Sequence, residues 1–257
     1  MSAFPRVRVG KLLVDRISLE ELLGAVASAL DNHQRQTILN ANAYAVTLAE
    51  ANSSFEAALS NADIVFCDGF GVHVAARVLG APIPSRITYA DFTEQLARAC
   101  HAKGASMFFL GAREGVAAKA AQNLAQTIPG LRVQTHHGYF EKNDESSREV
   151  IDIVNRSGAE VLLVGFGMPV QELWIARYRE LLKPLVVFSA GAAFDYAAGT
   201  VARGPRFLTQ HGFEWLARLA IEPRRLWRRY LLGLPEFGLL VARQWASTRL
   251  RLHTPNG

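Results

Sequence analysis

The sequence predicts an α/β protein built on a doubly wound parallel sheet with helices on both faces, followed by a helical, arginine-rich C-terminal appendage. Between residues 37 and 191, short β-branched runs alternate with longer helical patterns, as in repeated βαβ units. After about residue 200 the strand-like runs stop. The chain has 257 residues, half of them hydrophobic, and can therefore bury a sizeable core. We predict an α/β catalytic core over residues 1–202 and the appendage over residues 203–257.

The predicted elements follow one another in regular order. Gly80 and Gly104 each close a helix, and Pro129 stops another, as expected for helix C-termini. The predicted strands cover residues 37–43, 63–67, 106–112, 131–138, 160–167 and 184–191. The predicted helices cover residues 45–62, 72–80, 92–104, 114–128, 147–158 and 171–182.

The C-terminal appendage is strongly basic. Its residues 212–252 have helical spacing that we expect to be broken at Pro223 and Pro235. Residues 206–257 contain nine arginines, three glutamates and no lysine, a net charge of +6, whereas the whole chain carries +5. The rest of the chain is therefore close to neutral, and the charge predicts an anionic partner met mainly at one end.

Cysteine usage and the N-terminus predict the compartment. Cys67 and Cys100 are the only cysteines, which argues against a disulfide scaffold and fits a reducing cytoplasm. No Cys or His pairs stand at zinc-ligand spacing. The N-terminal residues lack the apolar stretch of a signal peptide, and no apolar run is long enough to span a bilayer. We expect a protein that is soluble or attached to a surface from one side.

Unusual residues accumulate where the predicted strands end. In a doubly wound sheet, ligands bind beyond the carboxyl ends of the strands. The candidates there are Asn40, Asn42, Asp68, Gly69, Gly71, Gly111, His137, Gly165, Gly167, Gln171, Glu172 and Asp195. The glycine loops suit either a nucleotide diphosphate at a helix N-terminus or ordinary tight turns. Neither the dinucleotide-binding glycine pattern nor a P-loop is present, which disfavours nicotinamide and ATP chemistry.

Asp68 has two interpretations. It follows the apolar run "VFC" and precedes Gly69 and Gly71. As a helix N-cap it would contribute about 1 kcal/mol. As a general base it would be ionised at neutral pH, and its glycine neighbours would leave room for a reacting hydroxyl. The sequence alone does not separate these roles.

The charged residues bear on whether a metal takes part. The eight aspartates are dispersed and form no Asp-x-Asp pair, the usual metal-holding arrangement. Guanidinium groups bind diphosphate bidentately and could replace a metal. They are available at Arg203, Arg206, Arg218, Arg224, Arg225, Arg228 and Arg229. On a continuous helix Arg218, Arg225 and Arg229 would share a stripe that could enter an active site, lie on an anionic membrane or simply face solvent.

Other chemistries have weaker support. No Ser or Cys stands in a nucleophile elbow with a partner His, so a covalent mechanism is not predicted. His136 and His137 lie at the same sheet edge and either contact phosphate or are plain loop residues.

Four segments occur in an order that resembles a known family. They are "NADIVFCDGFGVHVAARVLGAPIPSRITYADF", "GFGMPVQELWI", "SAGAAFDYAAGTVARGPRF" and "HGFEWLARLAIEPRRLWRRYLLG". Together they resemble the WecG/TagA/CpsF glycosyltransferases over about residues 37–235. The resemblance implies a Rossmann-like core and a metal-independent, inverting transfer, without a cofactor, from a UDP-sugar to a polyprenyl-diphosphate-linked sugar. It also implies a cytoplasmic protein whose C-terminal appendage contacts the inner face of the plasma membrane.

The resemblance also implies roles for individual residues. Asp68 would be the base, Asn40 and Asn42 would orient acceptor or donor, and Gln171 and Glu172 would lie beside the nucleotide. The segment "RITYADF" adds Arg86 to the predicted substrate-binding set. The tail arginines, Arg218, Arg225, Arg228 and Arg229 among them, would neutralise UDP or hold the lipid diphosphate.

The sequence departs from the family pattern at three positions. Asn40 stands where threonine is common, Tyr89 where glycine is common, and Val170 where lysine is common. UDP-glucose or a related hexose is therefore as plausible a donor as UDP-N-acetylmannosamine. The competing class is a non-catalytic nucleotide-binding protein whose basic tail grips nucleic acid, although we predict no nucleic-acid partner. A homo-oligomer is compatible with the sequence, which does not predict the oligomeric state.

Overall fold

A computed structural model describes residues 4–201 and 227–253, together with the single residues 219 and 224. Its centre is a six-stranded, fully parallel sheet with the strand order β4-β3-β8-β7-β5-β6. The six strands are β3 (Gln36–Ala41), β4 (Ile64–Cys67), β5 (Met107–Gly111), β6 (Val133–His136), β7 (Val161–Gly165) and β8 (Val186–Ser189). All six predicted strands are confirmed.

Helices cover both faces of the sheet, as predicted. One apolar cluster lies under α2 (Ala43–Ala51), α3 (Ser53–Ser60), α4 (Phe70–Val78), α7 (Asp144–Arg156) and α8 (Val170–Tyr178). The other lies under α1 (Leu19–Asp31), α5 (Tyr89–Ala102), α6 (Val116–Thr127) and α9 (Ala193–Ala197). The strands are thus buried on both sides, which explains their nearly continuous apolar sequences.

The chain leaves β5 and β7 in opposite directions. It passes from β5 through α6 to β6, and from β7 through α8 to β8, on opposite sides of the β5–β7 pair. Helices α6 and α8 also pack on opposite faces of the sheet. The loops after these two strands therefore diverge and leave a crevice between them. Such a switch point is where open α/β sheets bind ligands.

An N-terminal hairpin and helix α1 were not predicted. Strands β1 (Arg6–Val9) and β2 (Leu12–Asp15) pair antiparallel in a separate small sheet. Gly10 turns the chain between them with a positive φ of 59°. The buried carboxylate of Asp15 accepts hydrogen bonds from Arg6 Nε (2.9 Å) and from the backbone N–H of Val65 (2.7 Å). The hairpin is therefore fixed to β4, the strand that leads to Asp68.

The single helix predicted over residues 45–62 is wrong, because the chain forms two helices there. Asn52 has extended backbone angles and separates α2 from α3. Its side-chain oxygen accepts a hydrogen bond from the N–H of Phe55 at 2.9 Å, and its own N–H bonds to Leu48 O at 2.9 Å. An asparagine side chain can compete in this way with helical backbone bonding, which ends one helix and starts the next.

The C-terminal appendage is helical where it is described, but the predicted break at Pro235 is wrong. A π-helix (Arg228–Leu232) leads directly into α10 (Gly233–His253), which contains Pro235. Pro235 lies three residues after the end of the π-helix, and the local change from π-helical to α-helical hydrogen bonding accommodates a residue without an amide donor. Pro223 lies outside the described residues.

Helix α10 packs on the core. Phe237 and Val241 are buried in the same cluster as α2 and α4. The side chain of Gln244 accepts a hydrogen bond from Gly10 N (2.9 Å) and donates one to Arg8 O (2.8 Å). The core and α10 are therefore joined by apolar and polar contacts, and the division at residue 202 stays a prediction. None of the described helices is long and apolar enough to cross a bilayer.

We expect Phe237→Ala to lower the free energy of unfolding by about 3 kcal/mol, because it leaves a cavity between α10 and the core. The matched control is Leu239→Ala on the same helix, where the side chain is 52% exposed and the loss should be about 0.5 kcal/mol or less. Urea denaturation of both variants measures the difference. Equal losses would show that α10 does not pack on the core through Phe237.

Candidate active site

Asp68 lies at the carboxyl end of β4 and is partly buried. Its backbone N–H bonds to Ala41 O at 2.9 Å, which continues the β3–β4 pairing one residue beyond the strand. The N-cap of α4 is Gly69, with a positive φ of 98°, rather than Asp68. Asp68 is therefore held at the end of a strand, one residue before the N-cap of α4.

The carboxylate of Asp68 is bonded to a side chain from the neighbouring strand. Asn40 is buried near the end of β3, and its Nδ2 donates to Asp68 Oδ2 at 3.1 Å. Ser189, at the end of β8, donates from Oγ to Asn40 Oδ1 at 2.9 Å. The hydroxyl of Tyr89 in α5 donates to the backbone carbonyl of Ser189. One hydrogen-bonded chain therefore connects the ends of three neighbouring strands, β4, β3 and β8, with helix α5.

Arg86 lies near the same strand end. Burial, followed by the charge of Asp68, raises the pKa of the Cys67 thiol, and the charge of Arg86 opposes this rise. Burial and the charge of Asp68 likewise raise the pKa of Tyr89. Both groups therefore stay protonated at neutral pH and are unsuited to act as anions or nucleophiles. Asp68 and Arg86 supply charge at this end of β4.

Asn42, Gly69 and Gly71 have local structural roles beside Asp68. Asn42 is the N-cap of α2, and its Oδ1 accepts a hydrogen bond from Ala45 N at 3.0 Å. A Cβ on Gly71 would lie 3.1 Å from Ala43 Cβ and 3.4 Å from the ring of Phe237. Gly71 therefore allows α4 to pack closely on α2 and α10.

Gly111 and Gly165 bring two strand ends together at the switch point. They are paired residues of β5 and β7. A Cβ on Gly111, where φ is 156°, would come within 2.5 Å of Gly165 O, and a Cβ on Gly165 would come within 2.8 Å of the Phe194 ring. Close packing thus explains these two glycines, whether or not the loops also bind an anion.

Gln171 connects the loops that follow β7 and β8. Its Oε1 accepts hydrogen bonds from Gly167 N and Gly191 N, both at 3.0 Å, and its Nε2 donates to Glu172 Oε1 at 2.8 Å. Both side chains are fully buried. These contacts fix the two loops relative to each other at the edge where β3 and β4 end.

The remaining predicted residues are more scattered. His137 lines a surface cavity of about 210 Å³ with Arg113, Glu114 and Thr135, beyond β5 and β6. Asp195 lies in α9, and its backbone oxygen accepts a hydrogen bond from Thr200 N at 3.0 Å. Arg218 and Arg225 lie outside the described residues, and of Arg228 and Arg229 only the π-helical backbone is described. Because β4 and β6 are opposite edges of the sheet, Asp68 and His137 are roughly 24 Å apart, taking about 4.8 Å per strand spacing.

Lys142 is a further candidate that the sequence analysis missed. Its Nζ lies 3.5 Å from the centre of the Phe140 ring and 4.3 Å from that of Phe166. It also donates to the backbone oxygens of Gly138 (2.6 Å) and Phe140 (2.9 Å). Desolvation lowers the pKa of this ammonium to about 8. Lys142 therefore connects the loop after β6 with the loop after β7 at the predicted ligand edge, and no motif in the sequence marks it.

This pKa gives a prediction for stability. Because the folded-state pKa is about 8 and the ordinary value is 10.5, burying the charge costs stability below pH 8, and that cost falls as the pH rises towards 10.5. We expect the free energy of unfolding of the wild type to rise relative to that of Lys142→Met over this range. Chemical denaturation between pH 7 and 10.5 measures it. The control is Lys119→Met, at an exposed lysine on α6. An equal rise of the wild-type free energy of unfolding relative to that of Lys119→Met would contradict the assignment of the pH dependence to Lys142.

Comparison with known proteins identifies the family of this chain. The profile of the Glycosyl transferase WecG/TagA/CpsF family matches residues 7–251. A relative from Bacillus spizizenii, named N-acetylglucosaminyldiphosphoundecaprenol N-acetyl-beta-D-mannosaminyltransferase, is 33% identical over 208 residues, which cover 81% of this chain and 79% of the relative. A relative of the same name from Staphylococcus aureus is 27% identical over 206 residues, covering 80% and 79% of the two chains. The chain belongs to the WecG/TagA/CpsF family of glycosyltransferases.

Proposed function

We propose that this glycosyltransferase moves a sugar from a UDP-sugar to a sugar carried on polyprenyl diphosphate, with inversion and without a metal ion. The observation that carries the proposal is Asp68, held at the carboxyl edge of the parallel sheet by the amide of Asn40. Family membership supports the reaction class, and the names of the relatives support the lipid-linked acceptor. UDP-N-acetylmannosamine is the first donor to test, followed by UDP-glucose and related hexoses.

Asp68 acts as the general base in this proposal. Its carboxylate takes the proton from the acceptor hydroxyl, and the hydroxyl oxygen attacks the anomeric carbon of the donor. The new glycosidic bond forms on the face opposite the bond to UDP, which breaks, so the configuration at that carbon inverts. The proton ends on Asp68, and the electron pair of the broken bond leaves with UDP.

The switch point between β5 and β7 provides a place for the nucleotide. The loops after these strands diverge beside Gly167, and Gln171 and Glu172 hold the neighbouring loops in place. An elongated donor lying along this edge would extend from the switch point towards Asp68, about three and a half strand spacings away, or roughly 17 Å. Asn42 and Arg86 flank the sugar end of that path in the proposal.

Arginines replace a metal ion in this proposal. Arg218, Arg225, Arg228 and Arg229 are the proposed cations for the departing diphosphate or for the lipid diphosphate, because guanidinium groups bind phosphate oxygens bidentately. Within residues 4–201 and the described part of the C-terminal segment, no three His, Cys, Asp or Glu side chains are grouped as metal ligands would be. The concentration of arginines in the C-terminal segment supports charge neutralisation by the protein itself.

The C-terminal helices are the proposed membrane contact at the cytoplasmic face. Several large apolar side chains there are exposed, namely Trp227, Leu231, Leu232, Leu239, Trp245 and Leu250. The guanidinium of Arg249 lies 5.1 Å from the centre of the Trp245 ring. Exposed apolar and aromatic groups mixed with arginines are typical of helices that lie on an anionic membrane surface.

We expect Asp68→Asn to lower turnover by at least a hundredfold and to leave UDP binding nearly unchanged, because the amide keeps the shape of the side chain but cannot accept the proton. UDP release from UDP-N-acetylmannosamine, with a polyprenyl-diphosphate-linked N-acetylglucosamine as acceptor, measures turnover, and calorimetry measures UDP binding. Asp152→Asn, at an exposed position in α7, is the matched control.

Two outcomes would contradict the proposal. Normal turnover by Asp68→Asn would reject Asp68 as the base. Steeply salt-dependent binding of oligonucleotides, without transfer from any UDP-sugar in a panel of donors, would favour the nucleic-acid-binding alternative.

We expect excess EDTA to leave the initial rate within about twofold of the untreated enzyme, because arginines rather than carboxylates are proposed to face the diphosphate. The same assay after EDTA dialysis measures this, and added Mg²⁺ or Mn²⁺ serves as the control. Loss of activity that either cation restores would contradict metal independence.

A further inference from the structure

Two of the positions at which the sequence departs from the family pattern meet at one serine. Asn40 and Tyr89 are far apart in the chain, yet each makes a hydrogen bond to Ser189. Ser189 is the last residue of β8 and is fully buried. Because β8 pairs with β3, the end of β8 lies within hydrogen-bond distance of Asn40. The candidate base and the serine are therefore joined through Asn40.

The hydrogen bonds at Ser189 have a defined direction. The backbone N–H of Asn40 can only donate, and it donates to Ser189 Oγ at 3.3 Å. The hydroxyl has one proton, and that proton goes to Asn40 Oδ1 at 2.9 Å. With Oδ1 occupied as an acceptor, the NH₂ group of Asn40 is on the side of Asp68 Oδ2, 3.1 Å away. The opposite orientation of the amide would place two acceptors against each other.

We propose that Ser189 is a positioning residue that fixes the carboxamide of Asn40 so that its NH₂ group holds the carboxylate of Asp68. The inference rests on the proposed role of Asp68 as the base. Tyr89 supports Ser189 in turn, since its hydroxyl bonds to the Ser189 carbonyl and its ring packs against Phe66 and Phe92 at centroid distances of 5.7 and 5.9 Å. A buried polar chain of this kind fixes one arrangement only when each member is bonded.

The arrangement has a consequence for the charge of the base. An N–H donor favours the ionised form of a carboxyl group and holds one of its oxygens in place. Among the described residues, the ionisable groups around Asp68 include Cys67 and Tyr89, which burial keeps protonated, Arg86, which carries a positive charge, and Glu172, whose charge also raises the pKa of Tyr89. Cys67 and Tyr89 do not change charge near neutral pH, so the acidic limb of the rate profile should report a carboxylate, and in the proposal that carboxylate is Asp68.

The test is Ser189→Ala, which removes the hydroxyl and leaves Asn40 Oδ1 without this donor. We expect kcat at pH 7 to fall about tenfold, KM for the UDP-sugar to stay within about twofold, and the acidic limb of kcat to move up by about one pH unit. Ser147→Ala is the matched control, because Ser147 is also fully buried and lies on α7, which carries no candidate residue. Its Oγ accepts a hydrogen bond from Trp174 Nε1 at 3.1 Å. This control should leave the pH profile unchanged.

A double-mutant cycle separates positioning from a general structural role. If Ser189 acts through Asn40, then Ser189→Ala should change kcat by less than about twofold in an Asn40→Ala background. A second tenfold loss in that background would overturn the inference. Tyr89→Phe provides an independent variant should Ser189→Ala fold poorly, and it should shift the acidic limb in the same direction by a smaller amount.

Failure of this inference is distinguishable from failure of the proposed function. If Asp68→Asn is inactive and neither Ser189→Ala nor Tyr89→Phe moves the acidic limb, Ser189 has no positioning role and the base assignment stands. If Asp68→Asn is fully active, both the base assignment and the role of Ser189 are rejected.

Discussion

The parallel pairing of six strands that are buried on both faces is the constraint on which the rest of the structure depends. Helices cover the sheet on each side, so polar side chains that belong to the strands can reach ligand only near the strand ends. In a parallel sheet all carboxyl ends lie along one edge. Asp68, Asn40 and Ser189 are therefore neighbours although they come from three separate parts of the chain. Among the described residues, this edge carries both the candidate acid and the switch point between β5 and β7.

The strand ends differ in what they can contribute. At β5 and β7 the backbones approach so closely that only glycine fits at positions 111 and 165. At β3, β4 and β8 the strands end in side chains that bond to one another. This division suits a ligand with a phosphate-bearing nucleotide at one end and a reacting sugar at the other. Gln171 lies between the two regions. Its Oε1 accepts hydrogen bonds from Gly167 N, in the loop after β7, and from Gly191 N, in the loop after β8, and so holds these two loops together.

The sequence predicted the sheet and much of the edge because both depend on local patterns. Apolar runs marked all six strands of the sheet, and the parallel arrangement implied that Asn40 and Asp68 would lie along the same edge. The N-terminal hairpin was missed, although the alternation in "RVRV" and Gly10 at the turn were visible. The separation of α2 from α3 depends on one side-chain hydrogen bond of Asn52, and helical periodicity does not register such a bond. Lys142 was invisible because its site consists of two rings and two carbonyls that only the fold brings together.

The departures from the family pattern become intelligible when they are considered together. An asparagine at position 40 needs an acceptor for its NH₂ group and a donor for its oxygen, since a buried polar group left unpaired is costly. Asp68 provides the acceptor and Ser189 the donor, while Tyr89 holds the end of β8 through the Ser189 carbonyl. Position 170 is valine where lysine is common in the family, but the ammonium group of Lys142 lies nearby, over the ring of Phe166 in the loop after β7. Substitutions at these positions should therefore be interpreted as a connected set, and a change to Asn40 alone would leave Ser189 and Asp68 each without a bonding partner that the native arrangement supplies.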